Sequence, residues 1–297
     1  MSFEEKPHEE EKNRTLDGVL YLVGTPIGNM ADISERARKV LSEVSFIAAE
    51  DTRNSAKLLS LLGIRKELLS YHEHNRAMRG GEILARLMRG DSCALITDAG
   101  MPAISDPGAD LVRLCAESGV PVTVVPGPTA AITALALSAL STSRFAFEGF
   151  LPMGSDRKKR LAEIKNERRT LILYEAPHKL RTTLSDLLDA FGDRRISLCR
   201  ELTKRNEEIL RLTLSEAVAL YEEREPRGEY VLIMEGAEEL GLPPVELTPA
   251  PTATMSPEEK VAYHEANGLS RMDAIKTAAR EMGISKSALY RQLNAEK

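Results

Sequence analysis

Three segments rich in glycine and proline carry the residue types that hold ligands: Gly24-Thr25-Pro26-Ile27-Gly28-Asn29, the twelve residues Thr97 to Gly108 (TDAGMPAISDPG), and Pro126-Gly127-Pro128-Thr129-Ala130. Small residues let a backbone approach a ligand, and prolines lower the entropy cost of holding that shape. The second segment is long for a strand-to-helix connection, which points to a ligand-facing loop. Asp106-Pro107 reads as a helix start, with Asp as N-cap and Pro in the first turn; that role leaves Gly100 and Met101 unexplained. Thr129 is placed to cap the next helix, to bond a ligand, or both. The first segment, with Glu50-Asp51 about twenty residues later, has the outline of a dinucleotide-binding turn. Its glycine spacing is not G-x-G-x-x-G, Pro26 removes a donor, and no helix starts directly behind it.

A second set of residues is charged. Glu50-Asp51-Thr52-Arg53 stands at a strand end, where Arg53 suits a nucleic-acid phosphate and Glu50 or Asp51 suits its orientation or a ribose; the plainer reading is a helix-capping ion pair. Arg200, Glu201 and Lys204 form a similar group on the facing domain. The runs Arg157-Lys158-Lys159-Arg160 and Arg168-Arg169 offer phosphate contacts in an otherwise acidic chain. His72 and His74, two apart in a loop, are not backed by a ligand set, so no metal is expected.

The elements that must position these residues follow α/β grammar. Strands are predicted at Val19–Val23, Ser45–Ala49, Leu68–Tyr71, Cys93–Thr97 and Val122–Val125, with helices at Ile33–Ser42, Ser55–Leu62, Arg76–Met88 and Ala109–Glu117. A second series has strands at Phe145–Phe150, Thr170–Tyr174, Ile196–Arg200, Ile209–Thr213 and Tyr230–Met234, crowded enough at its end to imply a mixed sheet. Its helices are Ala130–Leu140, Asp156–Lys165, Lys179–Ala190 and Ser215–Glu223. The expected organisation is an acidic tail (1–17), an α/β domain (18–127), a second α/β domain (128–236), a Pro/Thr-rich linker (237–256) and a small helical unit (257–297). In that unit Ala279, Gly283 and Leu289 take the small, turn and core positions of a helix-turn-helix, beside basic Lys276, Arg280, Lys286 and Arg291.

A chain of 297 residues with 42% apolar and 29% charged residues has the balance of a globular protein with room for a sizeable core. The start lacks the apolar middle of a signal peptide, and the longest apolar stretch, Ala130–Leu140, is short of the ~20 residues a membrane span needs; a cytoplasmic protein is expected. Cys93, Cys115 and Cys199 are scattered and read as core thiols. The net charge of −5 argues against indiscriminate nucleic-acid coating.

In order and interval, LVGTPIGN, AAEDTR, ITDAGMPAISDPG, VPGPTA, LYEAPH and CRELTK, between Gly18 and Gly236, resemble the tetrapyrrole methylase superfamily, and within it the ribosomal RNA small subunit methyltransferase I group. The resemblance implies two α/β domains with S-adenosylmethionine in the cleft between them, usually in a homodimer. It implies 2′-O-methylation of a cytidine in the decoding region of small-subunit rRNA, within the assembled small ribosomal subunit. Matching positions put Pro26, Gly100, Met101, Ile104, Thr129, Ala130 and Glu175 at the cofactor, with Asp98, Ala99, Ser105 and Tyr174 beside them. Many tetrapyrrole-directed relatives carry G-G-D-P where this chain has A-G-M-P, which argues against a tetrapyrrole substrate. The rivals are a small-tetrapyrrole methyltransferase, which needs neither basic helix nor terminal helices, a cofactor-sensing nucleic-acid-binding regulator, and an NAD oxidoreductase resting on Gly24, Gly28 and Glu50 alone.

Overall fold

Short runs become the strands of a parallel sheet, and the three inner ones are apolar almost throughout because both their faces are covered. In the computed structural model, which describes residues 14–237 and 255–295, these are β1 (Leu20–Val23), β2 (Phe46–Ala49), β3 (Glu67–Ser70), β4 (Cys93–Ile96) and β5 (Val122–Val125). They form one five-stranded sheet in the order β3-β2-β4-β1-β5, every pair parallel. Most of the tail and of the linker expected from composition lies outside the described residues.

Helices α1 (Glu35–Glu43), α2 (Thr52–Leu61), α3 (Arg76–Met88) and α4 (Ala109–Glu117) cover the two faces. Ala37, Val40 and Leu41 of α1 pack with Val19, Tyr21 and Ile47 on one face, while Ile83 and Leu87 of α3 and Leu111 and Cys115 of α4 pack with Leu20, Phe46 and Leu95 on the other. Side-chain caps set two starts: Ser34 accepts from the Ala37 N–H, and Asp51 from the Arg53 N–H. The start of α4 differs from the sequence expectation. Gly108, at φ 142°, occupies the cap position without a side-chain bond, so Asp106 is not the N-cap and Pro107 is not in the first turn.

The second series is α5 (Ala130–Leu137), β6 (Phe145–Phe150), α6 (Ser155–Ile164), β7 (Thr170–Glu175), α7 (Leu180–Phe191), β8 (Arg195–Arg200), β9 (Glu208–Thr213), α8 (Leu214–Glu223) and β10 (Tyr230–Met234). Its sheet runs β6-β7-β10-β8-β9, parallel only at β6-β7, and is therefore mixed as expected. One face packs under α6, α7 and α8; the other packs under α5, where Ala131, Ala134 and Leu135 meet Ile172, Cys199, Val231 and Ile233. Ile27, from the loop after β1, joins this second core and so ties the first sheet's loops to the second sheet. All three cysteines are buried free thiols.

Residues 1–239 form one compact unit and 240–297 another. In the latter, α9 (Pro257–Ala266) starts on a reciprocal Ser256–Glu259 cap and is followed by α10 (Arg271–Glu281) and α11 (Lys286–Ala295). Ala279 and Leu289 are buried with Val261, Ala274, Ile275 and Ala278, and Gly283 turns at φ 67°, which fits the helix-turn-helix spacing. So small a core has little reserve. Leu289→Ala, removing about 2–5 kcal/mol, is expected to open this unit alone: limited proteolysis of the full chain should cut among the terminal helices while the α/β unit stays resistant. Unchanged protection of α10 and α11 would refute that separation. No helix among the described residues is long and apolar enough to cross a membrane.

Candidate functional site

A parallel sheet delivers all its strand-to-helix loops to one edge, and there the three ligand-type segments meet. The loop after β1 pairs with the loop after β4: Thr25 N–H donates to the Gly100 carbonyl at 2.9 Å and Gly100 N–H returns the bond at 3.1 Å. The buried Thr25 hydroxyl donates to the Thr97 carbonyl at 3.2 Å. Gly24 meets the third segment so closely that an added Cβ would lie 2.6 Å from the Gly127 Cα and 2.7 Å from the Met101 Sδ. Gly100 sits at φ 88°, where a side chain is strained. Pro26 and Met101 are half-buried along this seam.

Beyond Gly100 the loop holds two non-glycine residues in left-handed backbone, Ala103 at φ 69° and Ser105 at φ 61°. Such conformations persist only where the surroundings enforce them and are typical of ligand sites. Ile104 between them is 55% exposed. Ser105 abuts Gly149 of β6, joining the loop to the second sheet.

A carboxylate cluster lies on this rim. Asp106, half-buried, is pushed up to about 6 by burial and then by the charges of Glu50 and Asp98. Glu50 is also raised, by burial and by Asp98, although the Asp98 N–H bonds to it and His72 opposes the shift. Asp98 itself accepts from Asn54 Nδ2 at 2.8 Å. Asp51 turns the other way: besides capping α2 it pairs with the Arg53 guanidinium at 2.8 Å, and those hydrogen bonds hold its carboxyl down at about 2. The helix-capping ion pair of EDTR is present, and it leaves the Arg53 side chain 85% exposed.

From the second half, Thr129 occupies the N-cap position of α5 but makes no capping bond, leaving its hydroxyl for another partner; Ala130 follows it, half-buried. Tyr174 of β7 is raised by burial, with the Ala131 backbone and Asp106 nearby. Glu175 is buried, and its carboxylate accepts from the Ala176 N–H at 2.8 Å and from the Thr183 hydroxyl. Its side chain therefore fixes the start of α7. Arg200 pairs with Glu208, and Lys204 with Glu201 (2.9 Å) and Glu229 (2.7 Å). Glu201 (φ 51°) and Thr203 (φ 66°) are again left-handed, and Gly28 lies against Thr203 and Lys204. CRELTK thus docks on the loop after β1 with its charges matched within the chain.

The basic helix corrects the sequence reading in part. Arg157 bonds to Asp186 (2.5 Å) and Thr183 (2.8 Å), Arg160 to Glu148 (2.6 Å) and Glu163 (3.1 Å); Lys158 and Lys159 remain exposed. Arg169 is held by Glu167 at 2.7 Å. Two residues that the sequence did not single out belong to the rim: Asp106 as an acid, and Phe150, exposed at the end of β6. A second acid eight residues after Asp98 within one loop was the available signal for the former.

Residues 19–218 match the family model of the Tetrapyrrole (Corrin/Porphyrin) Methylases. A Ribosomal RNA small subunit methyltransferase I from Halalkalibacterium halodurans is 44% identical, over 96% of this chain and 98% of the relative. One from Synechocystis sp. is 44% identical over 94% and 98%. One from Thermotoga maritima is 46% identical over 221 residues, 74% of this chain and 100% of the relative. Among solved structures, a diphthine synthase superposes with a TM-score of 0.58 at 12% identity (73% of this chain, 89% of that one), and the uroporphyrin-III-C-methyltransferase of Thermus thermophilus with 0.54 at 21% (74% and 94%); both show the fold. With a glycine-tied loop edge set over a mixed second sheet and relatives matching it almost end to end, this chain belongs to the tetrapyrrole methylase family, in the group of the ribosomal RNA small subunit methyltransferase I proteins.

Proposed function

We propose that this chain methylates the ribose 2′-hydroxyl of a cytidine in the decoding region of small-subunit rRNA. S-adenosylmethionine is the methyl donor of the family, and it supplies an electrophilic methyl on its sulfonium. The rim fits that group. The Gly24–Gly127 approach leaves backbone without side chains at the seam, and the Thr129 hydroxyl is not used by its helix. Pro26, Gly100, Met101, Ile104, Thr129 and Ala130 would hold it, flanked by Asp98, Ala99, Ser105 and Tyr174; Glu175 contributes through β7 and α7 because its carboxylate is engaged.

The observation that carries the chemistry is Asp106, a half-buried carboxyl on the same loop, raised to about 6 by burial and its acidic neighbours. A group titrating just below neutral pH is suited to accept the proton a hydroxyl loses when it attacks a methyl group. Glu50 and Asp98 keep its proton affinity high. Arg53 takes a phosphate of the target strand, oriented by Asp51. Arg53→Ala is expected to weaken rRNA methylation about tenfold at moderate salt, flatten its salt dependence by about one counterion, and leave cofactor affinity unchanged; equal loss at every salt concentration would remove Arg53 from the phosphate.

The terminal helices serve as an additional grip on rRNA. Residues 271–295 carry five basic residues against two acidic ones, and Lys276, Arg280, Lys286 and Arg291 are exposed. The Thermotoga maritima relative, matched over its full length by 221 residues, is about as long as the α/β unit alone, which supports placing the chemistry there. A cytoplasmic homodimer acting on the assembled subunit completes the reading. The test is methyl transfer from labelled cofactor to assembled small subunits and to naked rRNA, followed by mapping: an alkali-resistant linkage at one cytidine is expected, whereas label on a base, or transfer only to a porphyrinoid, overturns it.

A further inference from the structure

Resting on the rRNA reading above, we infer that Phe150 is a stacking platform for a base of the bound nucleotide. Phe147 and Phe150 stand three residues apart in β6, and in a regular strand an odd separation sends side chains to opposite faces. Here both rings contact Tyr174, Phe147 at 5.2 Å between centroids and Phe150 at 5.5 Å, both edge-on. A β-bulge between Phe147 and Gly149 makes this possible by shifting the register against β7 by one residue, and Gly149 turns at φ 63° to accommodate it. Bulges re-aim side chains at the rims of functional sites.

The two phenylalanines then part company. Phe147 is half-buried against the core under α5, whereas Phe150 remains 59% exposed and is not needed to fill that core. Folding alone gives no reason to spend a bulge and a left-handed glycine on delivering a ring to solvent. Its position supplies one. Phe150 leans on Tyr174, whose hydroxyl feels the Asp106 charge, and the bulge touches Ser105 of the same loop, so the exposed ring shares its neighbour Tyr174 with the proposed proton acceptor. Past the strand, Met153 is 71% exposed as well, and an exposed aromatic face beside an apolar side chain suits an unstacked base.

The experiment compares wild type with Phe150→Leu, Phe150→Ala and Phe150→Tyr in full-length protein, measuring kcat/KM for labelled methyl transfer to assembled small subunits, cofactor Kd and thermal melting. Phe150→Leu keeps apolar bulk without an aromatic face. Losing a stacked base should lower kcat/KM roughly tenfold to a hundredfold for Leu and Ala, with cofactor Kd and melting unchanged and Tyr close to wild type. Wild-type rates in Phe150→Leu overturn the stacking role while leaving the rRNA reading intact. A wild-type protein inert on subunits overturns the rRNA reading first, and stacking with it.

Discussion

Asp106→Asn should reduce methyl transfer by about a hundredfold to ten-thousandfold, the usual range for removing a positioned general base, while cofactor affinity is preserved. Asparagine keeps the shape and cannot take the proton. In wild-type protein the single-turnover rate should rise with pH and level off above about 6, where Asp106 is ionised; the variant should lack that limb. Stability moves in the opposite direction. The folded-state value is raised from 3.8, so the native state binds the proton more tightly than the unfolded chain, and the stabilisation this gives is lost as pH rises through about 6. Above that pH wild type holds an ionised, half-buried carboxylate beside Glu50 and Asp98, and Asp106→Asn is therefore expected to melt no lower than wild type at pH 8. Activity lost with stability retained separates a proton-transfer role from misfolding. A variant that turns over at the wild-type rate would move the proton acceptor elsewhere on the rim.

The second large effect concerns a residue with no functional group. Gly24→Ala would put a Cβ 2.6 Å from the Gly127 Cα and 2.8 Å from its nitrogen, a collision with backbone that no rotamer relieves. Shortening Met101, the other neighbour at 2.7 Å, should not rescue it. Overpacking of this kind costs about 1–3 kcal/mol, or a melting point lower by several degrees in a domain of this size. Because the collision forces apart the first and third ligand loops, cofactor binding should fall more steeply than stability. Calorimetric titration and melting curves would check this. If Gly24→Ala melted lower but bound S-adenosylmethionine as wild type does, the seam would be a packing device and not part of the cofactor cradle.

Much of the architecture was legible in the sequence. Short β-rich runs such as FIAA and CALI, alternating with helical patterns, marked the strands of an α/β fold; that their sheet is wholly parallel is what the structure adds. The second sheet's mixed character followed from strands too close together for crossover helices. Ala279, Gly283 and Leu289 fixed the terminal helix pair by the same local logic. The site was legible only in part, because its loops were visible as glycine and proline but the partners of their side chains were not.

Asp106 shows the difference. Asp-Pro before a helical run is a good local cap signal, yet the helix starts at Ala109 on Gly108, and the half-buried carboxyl feels the charge of Glu50, far away in sequence, besides that of Asp98 in its own loop. Arg157 and Arg160 looked like free basic residues until α7 and β6 brought Asp186 and Glu148 to them. A regular strand would put Phe147 and Phe150 on opposite faces, and it is the bulge that places both on Tyr174. What the sequence by itself determined was every element whose stability is local or depends only on being buried. What the tertiary structure decided was which charges are neutralised, which carboxyl is desolvated and which ring is left in water, since burial and Coulomb energies depend on distances between residues that the chain brings together only when folded.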